Sequence, residues 1–72
     1  MAPLITLTTD FGLNDPYVAA MKGVILSINP GAVVVDISHH VRPGAVEQAA
    51  FILACAYPYC PPHAIHVAVV DP

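Results

Sequence analysis

Three short apolar runs, Leu4 to Thr9, Ala32 to Ile37 and Ile65 to Val70, alternate with two longer segments whose apolar residues recur at helical spacing. Rich in Val, Ile and Thr, the short runs read as strands. In the first longer segment Val18, Met21, Ile25 and Ile28 fall on one helix face. Asp15 is the expected N-cap, Pro16 the first helical residue, and Asn29-Pro30-Gly31 the stop. In the second, Val46, Ala49, Ala50, Leu53 and Tyr57 mark a helix with Glu47 in its first turn and Pro58 at its end. Gly23 sits mid-helix, where close packing on the sheet is the expected reason for it. Strand, helix, strand, helix, strand with short links leaves few topologies. The expected fold is α/β: a β-α-β-α-β unit of two right-handed crossovers, parallel and three-layered, forming part of a larger N-terminal domain. The near-continuous apolar run around Asp36 suggests a strand buried on both faces.

Parallel strands joined by crossovers all end on the same sheet edge. Asp10, the Ser38-His39 pair and Asp71 each follow a strand, so they are expected to collect there. Ligands of open α/β sheets bind at that edge. Thr8-Thr9-Asp10-Phe11-Gly12-Leu13-Asn14-Asp15-Pro16-Tyr17 is then a strand-to-helix turn bearing two carboxylates. A carboxylate such as Asp10 can accept two hydrogen bonds from a vicinal diol, and the free amides at a helix start can receive an anion. On their own, such aspartates more often shape a turn or cap a helix.

Composition narrows the partners. Of the 72 residues 57% are hydrophobic and 10% charged, so a chain this short carries more apolar surface than it can bury alone. Net charge is -3, with Lys22 and Arg42 the only Lys or Arg, which argues against nucleic acid. No run has the length of a membrane span, and Met1-Ala2-Pro3 lacks the basic start of a signal peptide, so a cytoplasmic location is expected. Cys55 and Cys60 have neither zinc nor redox spacing and are expected as free thiols. Adjacent His39 and His40 point to opposite sides of an extended chain, so no metal site is expected. Asp71 and Pro72 directly follow the third strand. Residues 1–72 are thus expected to be an incomplete N-terminal domain of a longer parent, aggregation-prone and inactive when isolated.

The strings T-D-F-G-L-N-D-P-Y-V, M-K-G-V-I-L-S-I-N-P, V-V-D-I-S-H and V-A-V-V-D-P occur in this order over nearly the whole chain. D-F-G alone is uninformative, since protein kinases share it. Together the four blocks resemble the N-terminal domain of the S-adenosylmethionine hydrolases, or SAM hydroxide adenosyltransferases, which are relatives of the fluorinating and chlorinating enzymes. The resemblance implies hydrolysis of S-adenosylmethionine to adenosine and methionine. Water or hydroxide attacks the ribose 5′ carbon, and neutral methionine sulfur leaves. A sulfonium is already a good leaving group, so no metal or cofactor is implied; desolvating and aiming the water is the main task. By the same resemblance Asp71 is the carboxylate that positions or activates the water. Asp10 is the ribose-diol ligand, and Asp15 lies near the methionine amino group. Halogenating relatives carry Tyr in place of Asp71, which favours hydrolysis. The resemblance further implies a homotrimer, and an Arg and a His beyond residue 72. A halogenating relative, or a non-catalytic nucleoside-binding or interaction module, are the alternative expectations; the residues after Pro72 would separate them.

Overall fold

A computed structural model describes residues 2–72; Met1, the first residue of the expected domain, lies outside them. Strand β1 (Leu4–Thr9) leads into helix α1 (Tyr17–Ile28), then strand β2 (Val33–Ser38), helix α2 (Val46–Ala56), a 3-10 turn at Tyr57–Tyr59 and strand β3 (Ile65–Val69). The three strands form one sheet in the order β2-β1-β3, and both pairings are parallel. This is the α/β unit expected from the alternation. From β1 the chain steps to one side, then crosses β1 to the other. Right-handed crossovers in opposite directions put the two helices on opposite faces. The side chains agree: Val67 lies with Met21 and Val24 of α1, while its neighbour Ala68 lies with Ala49 and Leu53 of α2.

The central strand carries the core. Leu7 is fully buried, and Val18, Val41 and Ala49 are the other buried apolar residues. Burial of a Leu side chain contributes about 1.5–3 kcal/mol. Thr6, Thr8 and Thr9 are buried beside it. Thr6 Oγ1 is 2.6 Å from His66 Nδ1, whereas Thr8 Oγ1 has no partner among the described residues.

Four local expectations change. Helix α1 starts at Tyr17, with Pro16 rather than Asp15 in the N-cap position and no side-chain cap. Pro16 (ψ 7°) is itself not helical, yet its carbonyl accepts the Ala20 amide at 2.9 Å, so the first helical bond begins there and Asp15 is one residue too early. Strands β2 and β3 are offset by a residue at their ends, β2 running to Ser38 and β3 stopping at Val69. Strand β2 is not covered on both faces. Val33 and Val35 stay 49% and 43% exposed, because β2 is an edge strand with no neighbour on its outer side. Gly23, finally, is exposed and packs on nothing: a Cβ built there meets no atom within 4 Å.

Exposed apolar residues are numerous, with Tyr17, Val24 and Ile28 on α1 all above half exposure. Cys55 and Cys60 are free thiols. Because Gly23 lies in a helix interior with room for a methyl group, Gly23→Ala should stabilise the fold by about 1 kcal/mol. Thermal unfolding of the two proteins side by side checks this; a lower melting temperature for the variant would mean that the glycine has a packing role after all.

Candidate active site

The carboxyl edge of the sheet is sewn together by backbone bonds. Asp10 N donates to Val69 O at 3.3 Å, Val41 N to Thr9 O at 3.3 Å, and Gly12 N to His39 O at 2.7 Å. Gly12 has φ +70°, a left-handed conformation that glycine adopts without strain, and it lets the chain leave β1 sharply.

The Asp10 side chain adds a further tie. Its Oδ2 accepts from Gly44 N at 2.9 Å and from Asp71 N at 3.2 Å. One oxygen thereby holds the loop before α2 and the segment after β3. Gly44 is required for this approach. Its φ is +74°, and a Cβ there would come within 3.2 Å of Pro72 Cα and 3.4 Å of Asp71 O. A carboxylate has about four acceptor sites, so the two at Oδ1 stay available. The Gly44 amide above all, then that of Asp71, hold the Asp10 carboxyl below its ordinary pKa against the opposing effect of burial.

The structure therefore brings Asp10 and Asp71 into direct contact, as the shared sheet edge implies. Asp15 stays exposed in the turn before α1, with no hydrogen bond or ion pair among the described residues. Helix α1 lacks a side-chain cap, so its first amides are not taken up by one. Ser38 and His40 make no bond to this tie; Ser38 Oγ accepts from His40 N at 3.1 Å. His39 and His40 do diverge: His39 is buried and His40 exposed. No group of three or more His, Cys, Asp or Glu among the described residues is arranged to hold a metal ion.

Sequence reasoning misses Gly44 and the partners of His39. The ring of His39 sits between Asp36 and Thr9, and Asp36 also pairs with Lys22. The Asp36 carboxyl lies below its ordinary pKa: burial raises it, but the bonds from Lys22 and His39 outweigh that. The sequence signal is Asp36 within an apolar run, with His39 just after the strand. Regular alternation places residues three apart on opposite faces, which hides it. A bulge resolves this. Leu7 pairs with Asp36 but Thr8 with Ser38, so Ile37 is an extra residue that shifts the phase of β2.

An open apolar groove of about 510 Å³ runs beside the turn, between α1 and β3, with Phe11, Tyr17, Met21 and Val67 on its walls. Phe11 and Tyr17 lie with ring centroids 5.7 Å apart and planes tilted by 47°. A β2-β1-β3 order with helices on both faces reverses direction between β1 and β3, which is where doubly wound folds hold ligands.

Residues 5–72 match the model of the SAM hydroxide adenosyltransferase N-terminal domain, and the chain belongs to that family. An (R)-S-adenosyl-L-methionine hydrolase of Methanocaldococcus jannaschii is 52% identical over 73 residues, covering 96% of this chain and 27% of the relative. A fluorinase of an Actinoplanes species is 44% identical over 48 residues, 67% of this chain and 16% of the relative. Among solved structures, a conserved protein of Thermotoga maritima, described as uncharacterized, superposes with a TM-score of 0.91 at 42% identity, over 93% of this chain and 26% of that one. The chain thus spans about a quarter of the length of the curated hydrolases it matches.

The Asp10 tie has a pH signature. A carboxyl whose pKa is lowered by folding adds stability above its unfolded value, about 4, and loses that contribution as pH falls through the folded value. Asp10→Asn should therefore unfold more easily at neutral pH and show a flatter stability profile in acid. It should not be fully flat, because Asp36 shifts in the same direction. Denaturant titrations at pH steps from about 7 to about 3 test this; parallel profiles for the two proteins would refute it.

Proposed function

We propose that this chain is the N-terminal part of a longer enzyme that hydrolyses S-adenosylmethionine to adenosine and methionine. The observation that carries the proposal is the tie at the sheet edge: Asp10 holds the backbone of Asp71 directly while keeping Oδ1 available. Membership of the SAM hydroxide adenosyltransferase family and the identity to named hydrolases support the same reaction.

In this reading Asp10 Oδ1 accepts the two ribose hydroxyls. The ribose then lies beside the segment that carries Asp71. The Asp71 carboxylate orients a water for attack at the 5′ carbon opposite the sulfur and takes up a proton as the new C–O bond forms. The C–S bond breaks, and its electron pair neutralises the sulfonium as methionine leaves. Asp15, exposed ahead of α1, would meet the methionine ammonium. No cofactor is invoked, because the positive sulfur already favours departure. Rate then comes from aiming and desolvating a weak nucleophile. The longer protein is further proposed to be a cytoplasmic homotrimer. The exposed apolar residues of α1 and β2 support burial against other protein surface, and no helix among the described residues is long and apolar enough to cross a membrane.

Two measurements on the longer protein test the assignment. Asp10→Ala removes the tie and the diol acceptor together, so adenosine and 2′,3′-dideoxyadenosine should be compared. Loss of the tie weakens both. Loss of the diol bonds should shrink the preference for adenosine by about 10- to 100-fold. An unchanged preference in calorimetric titration would remove the ribose role. Asp71→Asn keeps the shape but not the charge, and turnover should fall by about 100-fold or more with a much smaller change in affinity. Full turnover in that variant would leave Asp71 as a strand-end residue only.

A further inference from the structure

His39 lies outside every role assigned above, yet it is only 3% exposed and both of its ring nitrogens are engaged. Nε2 is 2.8 Å from Asp36 Oδ1, and Nδ1 is 2.7 Å from Thr9 Oγ1. Lys22 Nζ donates to the other Asp36 oxygen at 2.7 Å, and Phe11 N donates to Thr9 Oγ1 at 3.2 Å. The network runs from α1 through β2 and β1 to the turn that bears Asp10.

Donor and acceptor capacity fixes the protons. The Phe11 amide can only donate, so Thr9 Oγ1 accepts there and has one proton to give. The Nδ1 of His39 is the acceptor within reach of that proton, an arrangement in which it is bare. The Asp36 carboxylate only accepts, so Nε2 carries the hydrogen. A doubly protonated ring would leave the Thr9 hydroxyl proton, which is fully buried, without its acceptor. His39 also acts through its main chain, because its carbonyl receives the Gly12 amide at 2.7 Å. One residue thus secures two successive amides of the Asp10-Phe11-Gly12 turn.

We propose that His39, as the neutral Nε2–H tautomer, is a positioning residue that fixes this turn through Thr9 and so aims the available oxygen of Asp10 into the ligand crevice. The proposal rests on the reading of Asp10 as the ribose ligand. It assigns His39 no contact with substrate.

The test uses the longer protein and two amide replacements. In His39→Asn the side-chain amide lies near the Nδ1 position, and its oxygen can accept from Thr9. In His39→Gln the amide reaches the Nε2 position and keeps only the bond to Asp36. If the role passes through Thr9, the Asn variant should bind adenosine within about 3-fold of wild type and the Gln variant about 10-fold more weakly, measured well below both melting temperatures. Equal losses in the two variants, as a general packing role predicts, would overturn the proposal, and so would no loss in either. Nitrogen-15 spectra of the wild-type histidine should show Nε2 protonated and Nδ1 bare; the opposite tautomer or an imidazolium at neutral pH would also overturn it. A wild type that binds no adenosine would sink the ribose reading itself. In that case amide exchange at Phe11 still decides the role of His39: faster exchange in the Gln than in the Asn variant supports turn positioning, and equal rates refute it.

Discussion

A single carboxylate oxygen, Asp10 Oδ2, ties together segments that lie 34 and 61 residues away along the chain. Its two donors are backbone amides, so their positions follow the main chain and not a flexible side chain. Hydrogen bonds to a charged group contribute more than neutral ones, and less at a partly exposed site such as this. Their geometric effect exceeds their energetic one. With them in place the loop before α2 and the segment after β3 meet at the mouth of the crevice, at a distance only a glycine at position 44 allows.

This arrangement links the fold to the proposed chemistry. In a parallel sheet the strand ends converge for reasons of connectivity alone. Here the central strand contributes the carboxylate of Asp10, and the segment after one outer strand brings the backbone amide of Asp71 to it. A reaction whose leaving group needs no activation gains mainly from orientation, and orientation is what a short, tied strand end supplies. Asp10 divides its two oxygens accordingly, one turned to the protein and one left over.

Much of this architecture is legible in the sequence, because strands and helices announce themselves through periods of two and 3.6 residues. The order of elements, the Asn29-Pro30-Gly31 stop and the meeting of Asp10 with Asp71 all follow from local pattern and topology. What escapes the sequence depends on distant neighbours. Val33 and Val35 look like core until the sheet order leaves β2 at an edge. Gly23 looks like a packing glycine until its side of α1 proves uncovered. Asp15 looks like a cap, but Pro16 opens the helix. Gly44 reads as an ordinary loop residue until the chain returns beside it. The internal role of Asp10 was equally hidden, since its donors are loop amides with no side-chain signature.

The extra residue at Ile37 has a consequence for how β2 tolerates change. An edge strand is usually the most forgiving part of a sheet, because shortening it forfeits only a few pairings. Here the bulge sets the phase. Loss of the bulge at constant length would restore regular alternation, keep the same composition and send the imidazole to the other side of the sheet. The turn at Asp10 would lose its support although no residue in that turn had changed. A strand of this kind without the bulge would need its aspartate and histidine two residues apart, not three, to keep them on one side.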